Sequence, residues 1–164
     1  VNWISIIPTG PAGGYTMPLM EKDDMYNTRG KMIDDIIVDF GGRVAEELVF
    51  DDITTGASND IQKATKTARD MVTIYGFSSD IGPINYQNGD PQEIFLGRDL
   101  GHARPYGEAI ATSIDEEVRH IIDQCYAKAK QIISDHRDIL DRSAALLMEK
   151  EKVSREEFEA LFEE

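Results

Sequence analysis

The 164 residues carry a formal net charge of −14, with 31 Asp and Glu against 17 Lys and Arg. That balance excludes nucleic acid or an anionic lipid surface as the main partner, because both are held chiefly by Lys and Arg. Apolar residues make up 41% of the chain and run through its whole length, which excludes intrinsic disorder and predicts one compact domain over residues 1–164.

No apolar run approaches the ~20 residues of a membrane-spanning helix. The chain opens at Val1 directly into a strand-like segment, so the expectation is a soluble portion of a longer polypeptide, with any membrane anchor outside it. The single cysteine, Cys125, falls on the apolar stripe of a predicted helix and points to a buried thiol in a reducing compartment.

Trp3 to Ile7 alternate aromatic, β-branched and polar side chains. After the turn-rich segment 8–13 comes a second strand-like piece, Gly14-Tyr15-Thr16-Met17, and the two predict a small β-hairpin. Thr28 then reads as an N-cap. Met32, Ile36, Phe40, Val44 and Leu48 recur every four residues behind it, predicting one helix from Arg29 to Val49. That helix runs through Gly41-Gly42, a cost of roughly 1 kcal/mol per glycine relative to Ala, for which a close helix crossing is the expected compensation.

Ser58 reads as the N-cap of a second helix with Ile61, Ala64, Ala68, Met71, Val72 and Tyr75 on one face, ending at Gly76. The small residues Ala64 and Ala68 invite a close helix neighbour. Residues 77–104 read as mostly loop, with a strand-like piece at Glu93 to Leu96. A long helix follows from Glu108 to Asp135, on Ile110, Ile114, Val118, Ile121, Cys125, Ala129 and Ile132. Ile139, Leu140 and Leu147 mark a further helix, and Ser154 with Glu157 forms a capping box that opens a last short one. The expected fold is mainly α, a helical bundle-like domain with a small β-hairpin.

Chemistry is harder to place. His102, His120 and His136 lie 18 and 16 residues apart, so none forms the i, i+4 pair that sets two imidazoles on one helix face for zinc. All three read as solvated or structural. No nucleophile set and no phosphate-cradling loop stands out.

The segment Thr54-Thr55-Gly56-Ala57-Ser58-Asn59-Asp60-Ile61, preceded by Gly41-Gly42-Arg43-Val44-Ala45-Glu46-Glu47-Leu48-Val49-Phe50, resembles the signature of the FtsH family of ATP-dependent zinc metalloproteases. Further matches follow the family's order: Ile4-Ser5-Ile6-Ile7-Pro8 and Gly14-Tyr15-Thr16, then Ala68-Arg69-Asp70-Met71-Val72, Ile81-Gly82-Pro83, Phe95-Leu96-Gly97-Arg98 and Ile114-Asp115-Glu116-Glu117-Val118. The resemblance implies the C-terminal portion of a peptidase domain. In the family a helix bearing HExxH, an ATPase module using ATP and Mg2+, and a membrane anchor all precede these motifs.

By that resemblance the parent protein is a homohexamer on the cytoplasmic face of a membrane. It degrades unfolded or membrane proteins at a Zn2+ held by the two HExxH histidines and a third carboxylate. No catalytic residue falls within these 164 residues, and the portion alone is expected to be inactive. The position matching the third ligand is Asp60. Read from its own placement, Asp60 is equally a carboxylate that favours a helix N-terminus. Glu46 is the competing ligand, with an i, i+3 partner in Arg43 as its ordinary explanation.

Gly14, Tyr15 and Thr16 would bind substrate if the hairpin's edge strand pairs with an extended peptide, or would only close one side of the core. The HExxH helix is expected to dock on the face bearing Ala64 and Ala68. The alternative function is a non-catalytic helical scaffold or oligomerisation domain derived from such a peptidase.

Overall fold

A computed structural model describes residues 1–8, 13–17, 26–87 and 106–163. Among these, six α-helices and three short strands follow one another, and the fold is mainly α as expected. The strand-like piece at residues 93–96 and the Phe95-Leu96-Gly97-Arg98 match lie outside the described residues. The chain divides into two compact units, Asn27–Gln131 and Val1–Tyr26 with Ile132–Glu164.

The described residues of the unit Asn27–Gln131 are all helix, turn and loop. Thr28 caps α1 (Arg29–Asp39), its side chain accepting from the Lys31 amide at 3.1 Å. The expected single helix from Arg29 to Val49 is instead two, interrupted at Phe40 before α2 (Gly41–Phe50). Phe40 is the C-cap of one and the N-cap of the other, at φ −81° and ψ −10°. Gly41 and Gly42 occupy the first turn of α2, and a methyl group placed on either would meet nothing within 4 Å. Among the described residues no close helix crossing compensates them. Standing at a helix start, they escape most of the interior penalty.

A 3-10 turn (Thr55–Ala57) leads into α3 (Ser58–Thr73). Ser58 is already helical and is not the N-cap of α3, a position held by Ala57; its amide closes the 3-10 turn on the Thr55 carbonyl. The side chain that serves the turn is Thr54, which accepts from the Gly56 amide. Helix α3 packs on α1, and Ala64 and Ala68 are both 0% exposed within the chain itself. The close neighbour that these small residues called for is present, but it belongs to the chain's own fold rather than to a docking HExxH helix. Ile61 and Tyr75, expected on the buried face, are exposed.

Past Thr73 the chain turns through Gly76 at φ +62°, where a side chain would come within 2.6 Å of Pro83 Cα. Only glycine fits that crossing. Helix α4 (Glu108–Asp135) has the predicted bounds, with Ala111, Ile114, Val118, Ile121, Cys125 and Ala129 buried.

In the other unit, β1 (Trp3–Ser5) lies between β2 (Tyr15–Met17) and β3 (Lys152–Ser154), antiparallel to both. The hairpin is therefore two strands of a three-stranded sheet, with β2 at one edge. Ile4 pairs with Thr16 on one side and with buried Val153 on the other. Helix α5 (Arg137–Lys150) ends at Glu151 in the left-handed region, φ 59°, which turns the chain into β3. The predicted capping box of α6 (Arg155–Ala160) is present, Ser154 taking the Glu157 amide and Glu157 the Ser154 amide.

Candidate functional site

Asp60 stands in the first turn of α3, and its position is set by how α2 hands the chain to α3. Asp51 closes α2 in the left-handed region at φ 52°, a conformation Asp tolerates better than most residues. The chain then returns past α2. There Glu46 receives the Thr54 amide on Oε2 at 2.9 Å and the Thr54 hydroxyl on Oε1 at 2.7 Å. Arg43, one turn earlier on α2, donates to the Thr54 carbonyl at 3.2 Å. Thr54 Oγ1 in turn accepts the Gly56 amide at 3.1 Å. The two hydrogen bonds from Thr54, backbone first, hold the Glu46 carboxyl below the ordinary glutamate range.

The Asp60 side chain is 41% exposed and has one partner among the described residues, Lys63 at 3.2 Å. Asp39, at the end of α1, belongs to the same electrostatic neighbourhood. Burial raises its carboxyl above the usual range, Lys63 opposes that shift, and the charges of Asp60 and Asp35 add to it. A carboxylate that takes part in a zinc site needs an accessible oxygen, and Asp60 offers one. No group of three or more His, Cys, Asp or Glu among the described residues is arranged to hold a metal ion.

The other residues singled out from the sequence are placed as follows. Gly14, Tyr15 and Thr16 belong to the unit with the sheet, and Asp60 and Glu46 to the helical one. A side chain at Gly14 would come within 2.7 Å of the Ser5 carbonyl, so glycine there lets β2 lie against β1. Tyr15 packs edge-on against Trp3 at 5.9 Å, and Lys152 lies over the other ring, 3.4 Å from the Trp3 centroid. His120 is exposed and bonded to Gln124 at 2.8 Å; His136 sets its ring against Phe162 at 5.8 Å. His102 lies outside the described residues.

Two separate sequence matches meet in space, since Arg69 of α3 bonds Asp115 of α4 at 2.8 Å. Glu47, beside Glu46, turns to α4 instead, accepting from Lys130 and Tyr126 at 2.6 Å each. Those two bonds, Lys130 first, lower its carboxyl below the usual range. The bonding of Thr54 to Glu46 and the placement of Asp39 near Asp60 were not foreseen from the sequence. A threonine two residues before a glycine in a turn was a signal for the first; the second had none, because only the packing of α1 on α3 brings it near Asp60.

Residues 1–161 match the sequence profile described as peptidase family M41. The chain belongs to that family. Among M41 relatives it is 49% identical over 162 residues to the ATP-dependent zinc metalloprotease FtsH 1 of Thermoanaerobacter sp. (strain X514), covering 99% of this chain and 26% of the relative. To the ATP-dependent zinc metalloprotease FtsH of Caldicellulosiruptor bescii it is 48% identical over 161 residues, 98% of this chain and 26% of the relative. To that of Bacillus subtilis it is 40% identical over 163 residues, 99% and 26%. The chain thus spans about a quarter of the length of the M41 relatives it matches.

Proposed function

We propose that residues 1–164 form the larger, C-terminal part of one metallopeptidase domain in a membrane-associated, ATP-dependent zinc endopeptidase, and that Asp60 is its third zinc ligand. The observation that carries this reading is the accessible Asp60 carboxylate at the start of α3, inside the segment that resembles the family signature. Its only partner among the described residues is the flexible Lys63, one turn away. Glu46, the competing acid, has both carboxylate oxygens bonded to Thr54, and that arrangement favours a structural role for it.

Zinc, when bound, supplies Lewis-acid activation of a water and of the scissile carbonyl. Asp60 would contribute one carboxylate oxygen to its shell. The exposed edge of β2, at Tyr15 and Thr16, would receive an extended substrate by strand addition, and the side chain missing at Gly14 keeps that strand tight on β1. Backbone pairing of this kind carries little sequence preference, which suits unfolded or membrane protein substrates. ATP and Mg2+ would act in a separate module, and a homohexamer on the cytoplasmic face of a membrane is the assembly proposed for the whole protein.

Cleavage of casein distinguishes this reading from a scaffold. The full-length, zinc-loaded protein is expected to degrade casein with ATP, and the 164-residue chain alone is expected to leave it intact. Zinc-dependent cleavage by the isolated chain would overturn the division of the site, and an inert full-length protein would favour the scaffold.

A further inference from the structure

Every polar atom of Thr54 is held. Its amide and hydroxyl go to the two oxygens of Glu46, its carbonyl takes Arg43, and its Oγ1 takes the Gly56 amide. Both gripping side chains come from α2, three residues apart, and all of them lie on the surface. Between Thr54 and Asp60 there is only the 3-10 turn and the first residues of α3, so the backbone has no slack segment there. Buried Ala57 pins the middle of this short path.

The packing of α1 on α3 fixes the body of α3. The amides of a helix's first turn lack intrahelical partners and are held by other means. A single threonine cap on Gly56 would suffice to start a 3-10 turn. The additional two-point grip of a carboxylate and the guanidinium behind it fix where that turn begins.

We propose that the Glu46–Thr54–Arg43 clamp is a positioning device for Asp60, setting its carboxylate where a metal can take it, with Glu46 acting through Thr54 and not as a ligand. This rests on the reading of Asp60 as a zinc ligand. Metal ligands must be held within ~0.5 Å of productive geometry, and loss of an outer hydrogen bond that orients a ligand lowers metal affinity about 10- to 100-fold.

Four variants of the full-length protein test the clamp. Thr54→Val removes the two bonds made by the hydroxyl, and Glu46→Ala removes both bonds from Thr54 to the carboxylate. Thr54→Ser and Glu46→Gln keep the clamp, since serine retains the hydroxyl and glutamine can accept the Thr54 amide while donating to its hydroxyl. Zinc affinity is read by competition with a chelator, the ligand set by the visible spectrum of the cobalt-loaded protein, and folding by circular dichroism.

The expected result is a loss of about 10- to 100-fold in zinc affinity for Thr54→Val and Glu46→Ala, with an unaltered cobalt spectrum at saturation, and near-native affinity for the two conservative variants. Arg43→Ala, which leaves the Glu46 bonds in place, should show a loss between the two sets and serves if a stronger variant folds poorly. Native affinity in Thr54→Val, Glu46→Ala and Arg43→Ala would overturn the proposal. So would a Glu46→Gln variant that loses its metal or shifts the cobalt spectrum, because Glu46 would then be a ligand. Asp60→Asn run alongside separates the two levels. If it keeps its zinc, the ligand reading fails and the clamp's role with it; if it alone loses zinc, only the clamp fails.

Discussion

Asp60→Asn in the full-length protein should lose zinc and peptide-bond cleavage together, while the helices stay folded. Asparagine has almost the size of aspartate but no charge, so the change removes an anionic donor without opening a cavity. The loss should exceed the about 10- to 100-fold that follows removal of an outer-shell hydrogen bond, because the ligand itself is gone. The cost to folding is small by comparison. Asp60 interacts with the start of α3, worth roughly 0.3–1 kcal/mol, and with Lys63 in an exposed i, i+3 pair at 3.2 Å. Zinc content and casein cleavage, measured beside a thermal melt, give the comparison. Full cleavage by Asp60→Asn would reduce Asp60 to a helix-terminus acid.

Ile36→Ala tests the packing that supports the site. Ile36 is 0% exposed on α1, the helix that packs on α3. Truncating a wholly buried isoleucine removes apolar contacts and leaves a cavity, at a cost of about 2–5 kcal/mol. Ile61, one residue beyond Asp60, is 37% exposed, and Ile61→Ala should stay within about 0.5 kcal/mol. Urea unfolding of the 164-residue chain followed by circular dichroism measures both. Equal effects from the two variants would mean that α1 does not hold α3 as described.

The elements that were legible in the sequence are those whose signal is local. Helix α4 could be read to its ends because its apolar stripe persists over 28 residues. The Thr28 cap and the Ser154–Glu157 box could be read because each joins residues three apart. Strand β3 could not. It is three residues long and becomes a strand only by pairing with Ser5, Ile4 and Trp3 from the other end of the chain.

The interruption at Phe40 was hidden for a different reason. Phe40 keeps a helical conformation, so the every-fourth-residue pattern passes through it without a break, and only Gly41-Gly42 mark the place. Ala64 and Ala68 correctly signalled a close neighbour, but spacing within α3 cannot say which helix that neighbour is. At the candidate site, Asp60 stood out through the family resemblance and not through charge or periodicity. The Glu46 bonds to Thr54 span eight residues across a loop. No helical or strand period predicts them.

The most direct measurement is X-ray absorption at the zinc edge of the full-length protein, native and Asp60→Asn, with Glu46→Gln as the control. If Asp60 completes the site, the native shell contains a carboxylate oxygen at about 2.0–2.2 Å that is lost in Asp60→Asn and retained in Glu46→Gln. A shell unchanged by Asp60→Asn, or one that loses its oxygen in Glu46→Gln, would contradict that assignment.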